Sequence, residues 1–271
     1  MKRVDLNCDL GESFGAYTIG MDSAASYTYA IDLAYYYTWT EHAPTNAKNF
    51  IVANNYINIL SSATSGMAEA IYVDTAIDVE IIKNNVFVKT VNPAVAAYGI
   101  QVADSWGFYE DDFAASPYNI SIKDNVFNLE AADLAYGISV ISLYPYDDEN
   151  EVIVKDIVIS GNDVKVFTKT EGVGICADSS DVSITDNKVT LNADHNPVQA
   201  YTDSYIGNTS YAIFVNNYNA DMGYFVNNTV TGNTIVANVQ GIKAAKEDAS
   251  VQPLVIEDNE VSVCVLIDDD S

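Results

Sequence analysis

Short runs of alternating apolar and polar residues, separated by Gly, Asn and Asp, fill the chain from about residue 23 onward. One run recurs as YAIDL (29–33), EAIYV (69–73), YGIQV (98–102), YGISV (136–140), VGICA (173–177), YAIFV (211–215) and QGIKA (240–244). In each copy Ile and the residue two places on share a face, because side chains alternate along a strand. A second run falls between the copies of the first. It reads VANNYINI (52–59), IKNNVFVK (82–89), IKDNVFNL (122–129), ISGNDVKV (159–166), ITDNKVTL (184–191), VTGNTIVA (230–237) and IEDNEVSV (256–263). Seven copies of each alternate strictly along the chain.

The second run contains a corner. In DVSITDNKVTL, Val182 and Ile184 have one parity and Asn187, Val189 and Leu191 the other. A turn at Thr185 and Asp186 brings both sets to the same side. The inward residue after each corner is Asn, at 55, 85, 125, 162, 187, 233 and 259. Stacked one coil above the next, these amides can bond to one another and to the turn backbone, which satisfies polar groups that burial would otherwise strand. Helical repeats would place apolar residues at i, i+3, i+4 and i+7, and leucine-rich repeats need a denser Leu pattern. The period of two predicts an all-β chain: a single-stranded right-handed parallel β-helix, a solenoid of about seven coils with two or three short strands each, rising about 4.8 Å per coil. The spacings from Asn162 to Asn187 and from Asn233 to Asn259 mark plain coils. Longer spacings predict loops outside the coil at residues 104–118 and 143–151.

The SIxxNxxxL and YGIxV cadence over residues 23–271 resembles the right-handed β-helix repeats of pectin-lyase-like proteins, and most of all the acidic, Asn-rich and Tyr-rich adhesin-like surface proteins of methanogenic archaea. That resemblance implies a non-enzymatic, extracellular surface module that binds a glycan or another cell-surface partner. A pectin-lyase-like carbohydrate-active enzyme is the alternative. Residues 3–22, VDLNCDLGESFGAYTIGMD and its neighbours, resemble a different family, the N-terminus of 5-oxoprolinase in its A component. This second resemblance implies ATP-dependent opening of 5-oxoproline to glutamate in the cytoplasm, with Asp5, Asn7, Asp9 and Glu12 as site residues. The segments expected are therefore 1–22, an N-terminal piece able to cap the first coil, and 23–271, the repeat domain.

Composition narrows the chemistry. Hydrophobic residues make up 49% and charged residues 18%, enough for a substantial core. Lys and Arg number 12 against 38 Asp and Glu, a net charge of −26 that repels nucleic acid and anionic membranes. No stretch of about 20 apolar residues predicts a membrane span, and no apolar run after Lys2-Arg3 predicts a secretory signal. Cys8, Cys176 and Cys264 form no CxxC pair, and His42 and His195 stand alone, so neither a zinc site nor a Ser-His-Asp arrangement can be read. No cofactor is expected beyond calcium, for which Asp111, Asp112, Asp147 and Asp148 offer hard oxygen ligands without the spacing of a calcium loop. Trp106, Tyr109, Tyr144 and Tyr146 flank those acids and are candidates for stacking on sugar rings. N-x-S/T triplets at Asn119, Asn208 and Asn227 permit glycosylation of an exported chain. A lyase of the resembled class would use a cation, often Arg, as base, and Arg3 is the only Arg in the chain. The oligomeric state is not encoded in any pattern.

Overall fold

The computed structural model describes residues 26–33, 48–74, 76–103, 117–142, 154–193, 210–216, 218–219, 223–224, 226–245 and 254–264. These form a right-handed parallel β-helix of seven coils. Each coil contributes one strand to each of three seven-stranded parallel sheets. Sheet 1 carries the first sequence run, from Ser26–Leu33 to Gln240–Ala245. Sheet 2 runs from Lys48–Ala53 to Val255–Glu257, and sheet 3 from Tyr56–Ser61 to Glu260–Val263. A two-residue antiparallel pair, Tyr218–Asn219 with Gly223–Tyr224, lies outside the three sheets.

Register follows the repeats. Ile31, Ile71, Ile100, Ile138, Ile175, Ile213 and Ile242 form one column of sheet 1. Its middle members are fully buried, with Val73, Val102, Val140 and Val215 beside them. The inward faces of sheets 2 and 3 add Ile81, Ile122, Ile159 and Ile184, and Val88, Leu129, Val166 and Leu191. Aliphatic side chains of alternating parity thus meet in one central column, which each coil shares with its neighbours. A lone coil has nothing to bury its Ile and Val against.

The corner between sheets 2 and 3 is made by one residue in the left-handed region. Asn54, Lys83, Asp124, Gly161, Asp186, Gly232 and Asp258 occupy it in successive coils, with φ between 55° and 67°. Asn, Asp and Gly tolerate this conformation best; Lys83 is the exception. The left-handed residue reverses strand parity, so Ile184 and Asn187 both point inward.

The inward Asn column is Asn55, Asn84, Asn125, Asn162, Asn187, Asn233 and Asn259. Each donates its backbone N–H and its Nδ2 to the Oδ1 of the next, at 2.9–3.0 Å. The same Nδ2 also donates backward to a carbonyl of the preceding coil, as Asn162 does to Ile122 O at 2.9 Å. The ladder residue of the second coil is Asn84, not Asn85. Asn85 is exposed, whereas Asn84, Val86 and Val88 are buried. Two consecutive Asn residues left the sequence register open by one. Parity decides it: with Asn85 inward, Phe87 and Lys89 would enter the core in place of Val86 and Val88.

Close approach of backbones fixes a Gly in sheet 1. A Cβ on Gly137 would lie 2.4 Å from Gly174 O and 2.4 Å from Val164 Cγ1. Gly137→Ala is expected to cost about 1–3 kcal/mol, the usual range for overpacking, and Gly137→Val more. Urea unfolding followed by far-UV circular dichroism measures it, and two unchanged midpoints would refute the close contact.

Candidate functional site

Two described surfaces combine polar and aromatic side chains. The first is the outer face of sheet 1. Its outward columns are Glu69, Tyr98, Tyr136, Val173, Tyr211, Gln240 and Asp32, Tyr72, Gln101, Ser139, Cys176, Phe214, Lys243, each in register from coil to coil. Tyr98 and Tyr136 stack with ring centroids 5.2 Å apart. Within these columns Glu69 is 1% exposed, and Gln101, Ser139 and Cys176 are buried as well.

Burial sets the electrostatics of this face. It pushes the Glu69 carboxyl up to about 8, and the negative charge of Asp32 raises it further. Asp32 is itself raised by burial. Burial raises the phenols of Tyr98 and Tyr136, assisted by Glu69 for the first and by Cys176 for the second. The Cys176 thiol is raised by burial and by Asp178. Burial lifts Asp178 to about 6, opposed by Asn216 Nδ2, which donates to its Oδ1 at 2.9 Å. This face therefore favours neutral side chains. Glu69 is a protonated carboxylic acid at neutral pH, but it has almost no surface from which to deliver a proton.

The second surface is an open groove of about 760 Å³ where sheet 3 turns toward sheet 1. Four coils line it. They place Lys89, Glu130, Phe167 and Asn192 in one outward row, each in register with the next. Lys89 Nζ donates to Glu130 Oε2 at 2.6 Å. Phe167 is 41% exposed. Asn192 Oδ1 accepts from Asn238 Nδ2 at 2.9 Å. Behind the row, Thr168 and Thr170 donate their hydroxyls to the backbone O and the Oδ1 of Asp133. These bonds fix the corner that carries the exposed Lys169. Thr90 also lines the groove; it is 3% exposed, and its hydroxyl has no partner among the described residues. The sequence reading missed this row. The one-residue slip at Asn85 turned Lys89 inward, so the alignment Lys89, Glu130, Phe167, Asn192 did not emerge.

Asp5, Asn7, Asp9 and Glu12 lie outside the described residues, as do Asp111, Asp112, Asp147, Asp148, Trp106, Tyr109, Tyr144, Tyr146, His42 and His195. Of the segments expected to loop out, 104–116 and 143–151 lie outside the described residues, while Tyr118, expected in the first of them, opens a strand of sheet 2. Among the described residues no three His, Cys, Asp or Glu side chains gather to hold a metal ion. No described helix is long and apolar enough to cross a membrane.

No protein-family profile matches the chain, and no curated protein does. Solved structures similar to it include tailspike proteins of E. coli bacteriophage HK620. A mutant in complex with a hexasaccharide is 15% identical with a TM-score of 0.46, covering 87% of this chain and 39% of the tailspike. The tailspike solved with a pentasaccharide is 15% identical with a TM-score of 0.39. The chain thus spans about two fifths of the length of these tailspikes, which cover 86–87% of it.

Proposed function

We propose that the protein is a non-enzymatic glycan-binding β-helix module of the surface-displayed kind. The observation that carries this reading is the sheet 3 groove, in which an exposed aromatic ring, Phe167, sits in one row with Glu130 and Asn192. An aromatic face stacks on the C–H face of a sugar ring, and the flanking side chains bond its hydroxyls, which both donate and accept. The groove supplies both kinds of contact: the Glu130 carboxylate accepts, and the Lys169 ammonium donates. The net charge of −26 keeps such a module in solution and away from anionic surfaces. Among the described residues, the buried sheet 1 carboxyl does not support the enzymatic alternative. At 1% exposure, Glu69 does not present its carboxyl to a glycosidic oxygen, and general acid catalysis requires contact at hydrogen-bond distance.

Phe167→Ala tests the proposal. It is expected to weaken oligosaccharide binding, measured by calorimetry on a ligand found by glycan array, about tenfold or more. The melting temperature should hold, because the ring is substantially exposed. Undiminished binding by this variant would remove the groove as the site.

A further inference from the structure

We infer that the sheet 3 groove takes an extended pyranose chain linked 1,4 through equatorial bonds, with equatorial hydroxyls, of the cellulose or chitin type, laid along the solenoid axis with one ring per coil. This deepens the glycan-binding reading and rests on it. Lys89, Glu130, Phe167 and Asn192 occupy the same register position in four successive coils. Their backbones are therefore spaced by the coil rise of about 4.8 Å, or roughly 14 Å from first to last. A pyranose chain linked 1,4 through equatorial bonds at both ends stays straight and advances by nearly this distance per ring. An axial linkage bends each ring away from the row, so only one or two rings could meet it.

The side chains narrow the sugar further. Phe167 offers a flat apolar face and no polar tip. The matching sugar face is one built of axial C–H bonds, which a pyranose presents on both sides only when its hydroxyls are equatorial. The polar groups left over suit hydroxyls at the ring edge. Glu130 uses Oε2 for Lys89, leaving Oε1 to accept. Asn192 uses Oδ1 for Asn238, and among the described residues its Nδ2 has no acceptor. The Thr90 hydroxyl, 3% exposed and without a partner among the described residues, is a further polar group in the lining. The row thus offers the Glu130 acceptor on one side of the Phe167 ring and the Asn192 donor on the other, each one coil away.

The test is calorimetry with cello- and chito-oligosaccharides from two to six rings, against malto-oligosaccharides of equal length, on the wild-type chain and on Phe167→Ala and Asn192→Ala. Affinity for at least one equatorially linked series should rise about tenfold or more from the disaccharide to the tetrasaccharide, then level off, because four coils supply the row. Maltotetraose should bind at least about tenfold more weakly. Both variants should lose the gain from length while keeping the wild-type melting temperature. Malto-oligosaccharides binding as well as the straight chains, or affinity flat beyond two rings, would overturn the inference. Binding of some other glycan through Phe167 would leave the groove a glycan site and reject only this ligand class. Failure of every glycan on an array to bind in a Phe167-dependent way would overturn both.

Discussion

Replacing Asn162 with Leu should lower the free energy of unfolding by roughly 3–5 kcal/mol, although the two side chains are similar in size. Asn162 Oδ1 accepts from both the backbone N–H and the Nδ2 of Asn125, and its own Nδ2 donates to Ile122 O and Asn187 Oδ1. Leu leaves two buried donors of Asn125 and the Ile122 carbonyl without these partners. Each stranded group costs about 1–3 kcal/mol, partly offset by the apolar side chain gained. Position in the ladder should grade the effect. Asn84→Leu should match Asn162→Leu. Asn259→Leu, at the half-exposed last described rung, should cost about 1 kcal/mol, because water can replace its bonds. Asn85→Leu, on the exposed side of the same Asn pair, should stay within about 0.5 kcal/mol. Urea unfolding of the four variants measures the series. Equal costs at 84 and 85 would contradict the register described above.

That register shows what was legible in the sequence. The two alternating runs gave the solenoid and its coil number, because period-two strands separated by left-handed corner residues leave few other arrangements. Asn125, Asn162 and Asn187 could be placed as inward and in register, since each follows a single Asp or a Gly-bearing corner and precedes strict alternation. The corner at Asn84-Asn85 offered two Asn residues to the same rule, and the wrong one misplaced every side chain of that strand. The groove was lost with it, since a row of outward residues exists only when four registers agree. The outer face of sheet 1 was hidden for another reason. The first letters of EAIYV, YGIQV and YGISV show Glu69, Tyr98 and Tyr136 aligned, but strict alternation would put them on the face of the Ile two places on, and the break at Ala70, Gly99 and Gly137 that turns them outward is not visible in the period. That an outward position is buried depends on residues remote in sequence, which a repeat pattern cannot convey.

The buried Glu69 leads to the second large effect, a stability that falls as pH rises. Its carboxyl is raised from 4.5 to about 8 in the fold, by burial first and by Asp32 second. The unfolded chain therefore releases this proton near pH 4.5, while the folded chain holds it to about 8. Between those limits the folded state binds more protons than the unfolded state, so each pH unit costs about 1.4 kcal/mol of stability. The contribution is fully present below 4.5, declines by roughly 3 kcal/mol on the way to pH 7, and stops changing above about 8. Asp178, lifted from 3.8 to about 6, adds a loss of the same sign over that lower range. Repulsion among the surplus carboxylates also grows with pH, so the informative quantity is the difference between the wild-type chain and Glu69→Gln. Gln keeps the shape and the neutral charge of the protonated acid. The variant should match the wild type near pH 4.5 and exceed it by roughly 3 kcal/mol at pH 7, with the gap level above pH 8. Denaturant unfolding at half-unit pH steps reads this directly. A gap that is constant across the range, or that opens toward acid, would show that Glu69 is ionised in the folded chain, and the neutral character assigned to the sheet 1 face would have to be withdrawn.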